Sequence, residues 1–224
     1  MLELTQAMSR RLKLTFLLIA IMSSASVLAD GIKVDSVGSL KTDSELLNKA
    51  LEPNGSRITL SDGLYCEIWL RGSVPLGKID APGAVYTTIG ESTLVGVIRF
   101  AFPTTDFRGQ PIKAGSYTLR YAVHPADGNH LGISPIRDFL VMVPVANDPN
   151  PDAQFKFEEL AKMSTKASGT NHPAVLSLVS IDSAPTSPKA EKNETNNIVF
   201  SAALKRQSGA PTPIAFVVKG RAEQ

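Results

Sequence analysis

Two histidines and two aspartates lie within one short stretch of the chain, residues 122–139. They are His124, His130, Asp127 and Asp138. Histidine is the commonest protein metal ligand and carboxylates complete many metal sites, so the stretch is compatible with a zinc, copper or catalytic site. The alternative is a loop between two strands, because the stretch contains Asp-Gly, a strong signal for a two-residue turn.

The geometry of the turn decides whether the two histidines can share an ion. With a two-residue turn at Asp127 and Gly128, His124 and His130 point to opposite faces. A three-residue loop shifts the register by one position and brings both to one face. The third histidine, His172, precedes a predicted strand. We expect loop histidines and no cofactor, and keep a Zn or Cu site at His124, Asp127, His130 and His172 as the alternative.

A calcium loop is a second metal hypothesis. Asp148, Asn150 and Asp152 have its D-x-N-x-D spacing, but Ala153 stands where the loop needs glycine for a sharp turn. A helix start explains the same residues, with Asn150 or Asp152 as the N-cap. We therefore expect a helix here.

Common catalytic motifs are missing from the sequence, including G-x-S-x-G, H-E-x-x-H and the phosphate-binding glycine loops. A hydrolase that uses a serine or carboxylate beside a histidine is the remaining enzymatic alternative. The single cysteine, Cys66, lies 58 positions before the nearest histidine and alternates with apolar residues. It is expected to be a buried small side chain rather than a copper ligand.

Residues 64–71 form the clearest predicted strand, with apolar side chains at its even positions. The odd positions are Tyr65, Glu67, Trp69 and Arg71, a candidate ligand-binding face. An aromatic pair with charged neighbours suits a carbohydrate, peptide or protein partner. Alternatively, a second layer such as the helix predicted after residue 151 covers this face, and the aromatic rings belong to the core.

Other segments alternate similarly or are short apolar runs bounded by turn residues. They are residues 31–40, 56–61, 84–89, 93–102, 116–124, 137–146, 174–181, 197–205 and 212–220. Helices are predicted near residues 44–51, with Ser44 as N-cap, and near 151–168, ended by Gly169. Residues 182–197 are polar and predict a surface loop. The fold class is thus all-β, an antiparallel β-sandwich of immunoglobulin-like or jelly-roll-like type with one or two short helices.

The N-terminus has the features of an export signal. Arg10, Arg11 and Lys13 precede an apolar run, and Ala29 ends a small-residue cleavage motif. The run is shorter than a membrane-spanning helix. We expect residues 1–29 to be removed, leaving one domain over residues 30–224 in the bacterial periplasm or outside the cell, without stable membrane insertion.

Loss of the signal removes the positive net charge. Residues 1–29 hold three of the 23 basic and one of the 21 acidic residues, so 20 of each remain. A balanced charge gives no basic surface for nucleic acid, and none is expected as a partner. The sequence predicts a non-catalytic binding module or a structural protein of the envelope, with a periplasmic metal-binding protein or a hydrolase as alternatives.

Three segments resemble an uncharacterised group of exported bacterial β-sandwich proteins. They are CEIWLRGSVP (66–75), GQPIKAGSYTLRYAV (109–123) and RDFLVMVP (137–144). The group shares a strand with a W-x-R pattern and a later strand with A-G-[ST]-Y-[ST]-L. The likeness covers roughly residues 60–145. It implies a sandwich fold and export, and it implies no activity and no site residue.

Overall fold

A computed structural model describes residues 31–124 and 136–222. Within them the chain forms twelve strands and two α-helices. The strands are β1 (Lys33–Val37), β2 (Gly55–Leu60), β3 (Gly63–Leu70), β4 (Leu94–Phe100), β5 (Thr104–Thr105), β6 (Pro111–Ile112), β7 (Gly115–Val123), β8 (Asp138–Pro144), β9 (Ala174–Ser177), β10 (Lys189–Lys192), β11 (Ile198–Leu204) and β12 (Thr212–Lys219). The helices are α1 (Glu45–Ala50) and α2 (Phe157–Ser168).

Two antiparallel sheets form the body of the protein. The large sheet has the strand order β1-β2-β3-β4-β7-β8-β9, and the small sheet has the order β10-β11-β12. After β9 the chain passes from one sheet to the other, where Leu178 pairs with Phe216 and the Val179 N–H donates to the Ala215 carbonyl at 2.9 Å. The predicted all-β sandwich is confirmed.

The main core lies between the sheets and follows the predicted alternation. From β3 it receives Cys66 and Ile68, and from β11 and β12 it receives Phe200 and Phe216. Burial raises the pKa of the Cys66 thiol, which keeps this side chain protonated. Cys66 is free and buried, as expected from its alternation with apolar residues.

Both helices pack on the opposite face of the large sheet and make a third layer. In α1, the Ser44 hydroxyl accepts the Leu47 N–H at 3.1 Å, so the predicted N-cap is confirmed. In α2, Leu160 packs against Val141, and Gly169 ends the helix in a left-handed conformation with φ of 67°. No helix within residues 31–124 or 136–222 is both long and apolar enough to cross a membrane.

One strand prediction was wrong, and one loop prediction was incomplete. Residues 84–89 form turns instead of a strand, and the Tyr86 hydroxyl of this segment donates to the Val179 carbonyl at 2.6 Å. Residues 182–197 are not only loop, since they contain β10. Its charged side chains suit an edge strand exposed to solvent, where their polarity does not oppose β pairing.

A fully buried ion pair joins β7 to the segment before α2. The Arg120 guanidinium donates to both carboxylate oxygens of Asp148 at 2.7 Å, and neither side chain is exposed. Its remaining N–H groups donate to the carbonyls of Ser92, Asn150 and Ala153, each at 2.7 Å. All five donors of the arginine are therefore bonded, which a buried guanidinium requires.

This ion pair explains why the segment is neither a calcium loop nor a helix start. Asp148 accepts hydrogen bonds from Arg120 and, at 2.6 Å, from the Thr118 hydroxyl. The guanidinium therefore binds the carboxylate that a calcium loop would use as its first ligand. The carbonyls of Asn150 and Ala153 bond to Arg120 instead of continuing a helix. The expected cap at Asn150 or Asp152 was therefore wrong, and α2 begins only at residue 157.

Replacing Asp148 by Asn should lower the free energy of unfolding by about 3–5 kcal/mol, because it leaves a buried guanidinium without its counter-charge. Urea denaturation measures the change. The control is Asp35→Asn, which breaks the exposed pair between Lys33 and Asp35 and should cost less than about 1 kcal/mol. Similar losses in the two variants would contradict the role of the buried pair.

Candidate binding groove

Trp69, expected on a candidate binding face, lies inside the protein. It is 1% exposed and packs with Leu40, Leu47 and Leu51. Its indole Nε1 donates to the Gly38 carbonyl at 2.8 Å. A second layer does cover this face, but it consists of α1 and the segment before it, not of the later helix. The structure therefore contradicts an exposed aromatic platform at Trp69.

Tyr65 leaves the predicted face because β3 contains a bulge. Ile58 of β2 pairs with Cys66 while Thr59 pairs with Leu64, so Tyr65 is an extra residue between two pairs. A bulge redirects a side chain, and the Tyr65 ring packs against the core between the sheets. Its hydroxyl donates to the Val218 carbonyl at 2.8 Å. Burial raises the pKa of Tyr65 to about 12.

Glu67 and Arg71 are both engaged with other parts of the chain. Glu67 is 6% exposed and accepts from Arg57 at 2.8 Å and from Arg99 at 3.3 Å. Arg71 pairs with Asp152 at 2.5 Å and also donates to the Pro151 carbonyl. Their charges are satisfied internally, so the structure does not present Tyr65, Glu67, Trp69 and Arg71 as one ligand-binding face.

The structure describes two of the three histidines, His124 and His172. The His124 ring stacks on Phe139 with centroids 4.1 Å apart, and the exposed His172 lies in the turn after α2. Asp127 and His130 lie outside the described residues. Within residues 31–124 and 136–222, no group of three or more His, Cys, Asp or Glu side chains suits a metal ion. The metal site thus stays a prediction.

Asp138, the fourth residue of the histidine stretch, has a structural role. It is fully buried, and its carboxylate accepts the N–H groups of Val85 and Tyr86 at 2.8 and 2.9 Å. The Tyr121 hydroxyl donates to it at 2.6 Å, and burial raises the pKa of that tyrosine. These bonds hold the segment at residues 85–86 against β8.

A concave surface lies beside α1, on the helix-covered side of the large sheet. We name it the α1 groove, and its volume is about 720 Å³. It is lined by residues 41–46, Ser116, Val145, Ala146 and Pro149. Leu46 belongs to this lining and is 63% exposed. The groove therefore offers an accessible apolar surface with a polar and charged rim.

Two buried contacts and one hydrogen bond at the surface hold the two walls of the α1 groove. One wall is the start of α1, which is anchored through Leu47 against Trp69. The other wall lies on the segment that Asp148 ties to Arg120. Ser44 joins the walls, since its hydroxyl donates to the Pro149 carbonyl at 2.5 Å.

An ionic network continues from the base of the groove into the sheet. Arg99 donates to the Ser116 hydroxyl at 3.3 Å and lies over the Trp69 ring, 5.0 Å from its centroid. Arg99 also pairs with Glu67, which pairs in turn with Arg57. Glu67 and Trp69 were predicted as ligand contacts. In the structure they contact Arg99, which bonds to Ser116 of the groove lining.

The tryptophan tests the covered face directly, because Trp69 is the only one in the chain. We expect native fluorescence at short wavelength, because water does not reach the buried ring and cannot relax around its excited-state dipole, and we expect weak quenching by iodide. Unfolding in urea should shift the emission to longer wavelength and expose the ring to quencher. Native emission and quenching like those of free tryptophan would contradict the buried position.

Comparison with known proteins gives no function for this chain, so the proposal rests on the geometry of the structure. No protein-family profile, curated protein or solved structure matches this chain. The resemblance to exported β-sandwich proteins over residues 60–145 stays a prediction. The α1 groove is the feature on which we base a function.

Proposed function

We propose that the protein is an exported, non-catalytic binding module of the bacterial envelope, and that its α1 groove binds an extended segment of a partner protein. The observation that carries this proposal is the accessible apolar surface of Leu46 beside a groove with anchored walls. A single exposed leucine is ordinary on a protein surface; its place in a concave surface whose walls are fixed is what favours an interaction site.

The buried carboxylates support a binding role over catalysis. Four carboxylates are buried and accept hydrogen bonds from the chain itself: Glu67, Asp106, Asp138 and Asp148. A catalytic acid or base has to reach a substrate within hydrogen-bond distance. These four groups instead hold loops and strands together.

The composition of the groove favours a protein segment over a carbohydrate. Carbohydrate sites commonly stack sugar rings on exposed aromatic side chains. None of the described residues that line the groove is aromatic, and its apolar contacts come from Leu46, Val145 and Ala146. The charged residues of the lining are Lys41, Asp43 and Glu45. A segment with one apolar side chain and polar neighbours of both charges would complement this surface.

The anchored walls favour binding without a large rearrangement. Ordering a loop on association costs about 0.5–1.5 kcal/mol for each immobilised flexible side chain. In the α1 groove the Ser44–Pro149 hydrogen bond and the Arg120–Asp148 ion pair already hold both walls. A short segment buries less area than a standard interface of about 1,600 Å², so we expect transient rather than permanent association.

Export is the second part of the proposal and rests on the N-terminal sequence. The basic residues, apolar run and small-residue motif that end at Ala29 support a removable signal. The resemblance to exported sandwich proteins supports the same location. A partner would then be a protein of the envelope or of the cell's surroundings.

Site-specific photo-crosslinking tests the groove. A benzophenone amino acid placed at Leu46 in the full chain should crosslink, in the producing bacterium, to one defined peptide of one protein. Ala146→Glu should reduce this adduct at least tenfold, because it puts a charge on the apolar wall. Mass spectrometry identifies the adduct and measures its yield.

Leu76 provides the matched control, because it is 62% exposed and does not line the groove. The same photoreactive residue at this position should not give the adduct obtained at Leu46. Equal adducts at the two positions, or no adduct at Leu46, would count against the groove as the binding surface. Peptide mass analysis of the N-terminus would report separately whether the chain was cleaved after residue 29.

A further inference from the structure

Two asparagines lie in the tripeptide N-x-[ST], where x is not proline. They are Asn54, in Asn54-Gly55-Ser56, and Asn193, in Asn193-Glu194-Thr195. This tripeptide is the acceptor sequence for N-linked glycosylation and functions on exposed loops of exported proteins. The structure distinguishes sharply between the two positions.

Asn193 lies in an exposed turn between β10 and β11. Residues 191–196 are all exposed, so an enzyme could approach from solvent. The Asn193 side-chain oxygen accepts the N–H groups of Thr195 and Asn197 at 3.1 and 2.9 Å, and the Thr195 hydroxyl at 3.0 Å. The side-chain nitrogen Nδ2, which carries the glycan in N-linked proteins, makes no hydrogen bond to the described residues.

Asn54 is presented differently. Its partner Ser56 is 8% exposed and lies in β2, paired with Ser36 on one side and Ile68 on the other. The serine hydroxyl is therefore shielded within the sheet. A transferase has to bind the hydroxyl at this third position together with the asparagine, and β2 would have to leave the sheet to allow it.

The residues before each asparagine reinforce the difference. An acidic residue two positions before the asparagine is characteristic of acceptors used by bacterial oligosaccharyltransferases, and Glu191 has that position for Asn193. The Glu191 side chain is 62% exposed and its ion pair with Lys189 is at the surface, where such pairs are weak. Asn54 also has an acidic residue two positions before it, but Pro53 intervenes.

We propose that Asn193 is an N-glycosylation site, whose donor is an oligosaccharide linked to a polyprenyl diphosphate. In the transfer, Nδ2 of Asn193 attacks the anomeric carbon of the first sugar. A nitrogen–carbon bond forms, and the bond from that carbon to the diphosphate oxygen breaks. The polyprenyl diphosphate leaves with the electron pair, and Nδ2 loses one proton to a base of the transferase.

The attached glycan would cover an edge of the small sheet. Within the described structure β10 is the edge strand of the small sheet: it pairs with β11, and β1 of the large sheet lies near it without pairing. Open edges invite pairing with other chains, and bulky groups beside them oppose it. Glycosylation at the end of β10 thereby protects an exported protein from edge-to-edge association.

The inference rests on export, and peptide mass spectrometry of the full-length gene product, purified from the envelope of the producing bacterium, tests both separately. We expect the peptide containing Asn193 to carry a glycan mass and the peptide containing Asn54 to be unmodified. A mature N-terminus at residue 30 with an unmodified Asn193 would overturn the glycosylation inference and leave export intact. Glycan on Asn54 alone would also overturn it.

Conservative variants provide the controls. Glu191→Gln and Thr195→Val should abolish the glycan, whereas Glu194→Gln, with the same charge change inside the tripeptide, and Thr195→Ser should retain it. Thermal unfolding of each variant reports whether the turn still folds. Retention of glycan in the first two variants would contradict the assigned roles of Glu191 and Thr195.

Discussion

Burial of an arginine is favourable only when its charge is neutralised and every N–H group is bonded. Arg120 meets both conditions without solvent, since Asp148 accepts two of its N–H groups and the carbonyls of Ser92, Asn150 and Ala153 accept the others. The five acceptors come from two separate segments of the chain. Once the arginine is inside the protein, neither segment can move without leaving at least one buried N–H group of the guanidinium without an acceptor.

The layer on the outer face of the large sheet depends on this constraint. The segment from Asp148 to Ala153 is held in a non-helical conformation, which delays α2 to residue 157. The same segment places Pro149 where Ser44 can bond to it, so α1 and the α1 groove are coupled to the buried pair. An ion pair within the protein thus positions a surface that offers an accessible apolar side chain to a partner.

The sequence was sufficient for elements that follow local rules. Alternation identified the face of Cys66 and Ile68, and side-chain capping identified the start of α1. It failed at Tyr65, because a bulge depends on pairing with the neighbouring strand, and no pattern within one strand reveals it. The α1 groove was also missed, since its lining comes from segments up to about 100 residues apart. The one signal in the sequence was the pair of adjacent leucines, Leu46 and Leu47, on a short helix, because a helix that buries Leu47 leaves Leu46 exposed.

The central claim is that the Arg120–Asp148 pair holds the wall of the groove as firmly as the sheet itself. Hydrogen exchange of individual amides, measured by NMR in the native state, tests this most directly. In the connecting segment, the Asp148 N–H donates to the Val145 carbonyl at 3.1 Å and the Phe155 N–H to the Ser92 hydroxyl at 3.0 Å. The account predicts that both N–H groups exchange with the same opening free energy as that of Leu119 in β7. Exchange as fast as in the exposed turn at Asn196 would show that the wall opens independently and would contradict the claim.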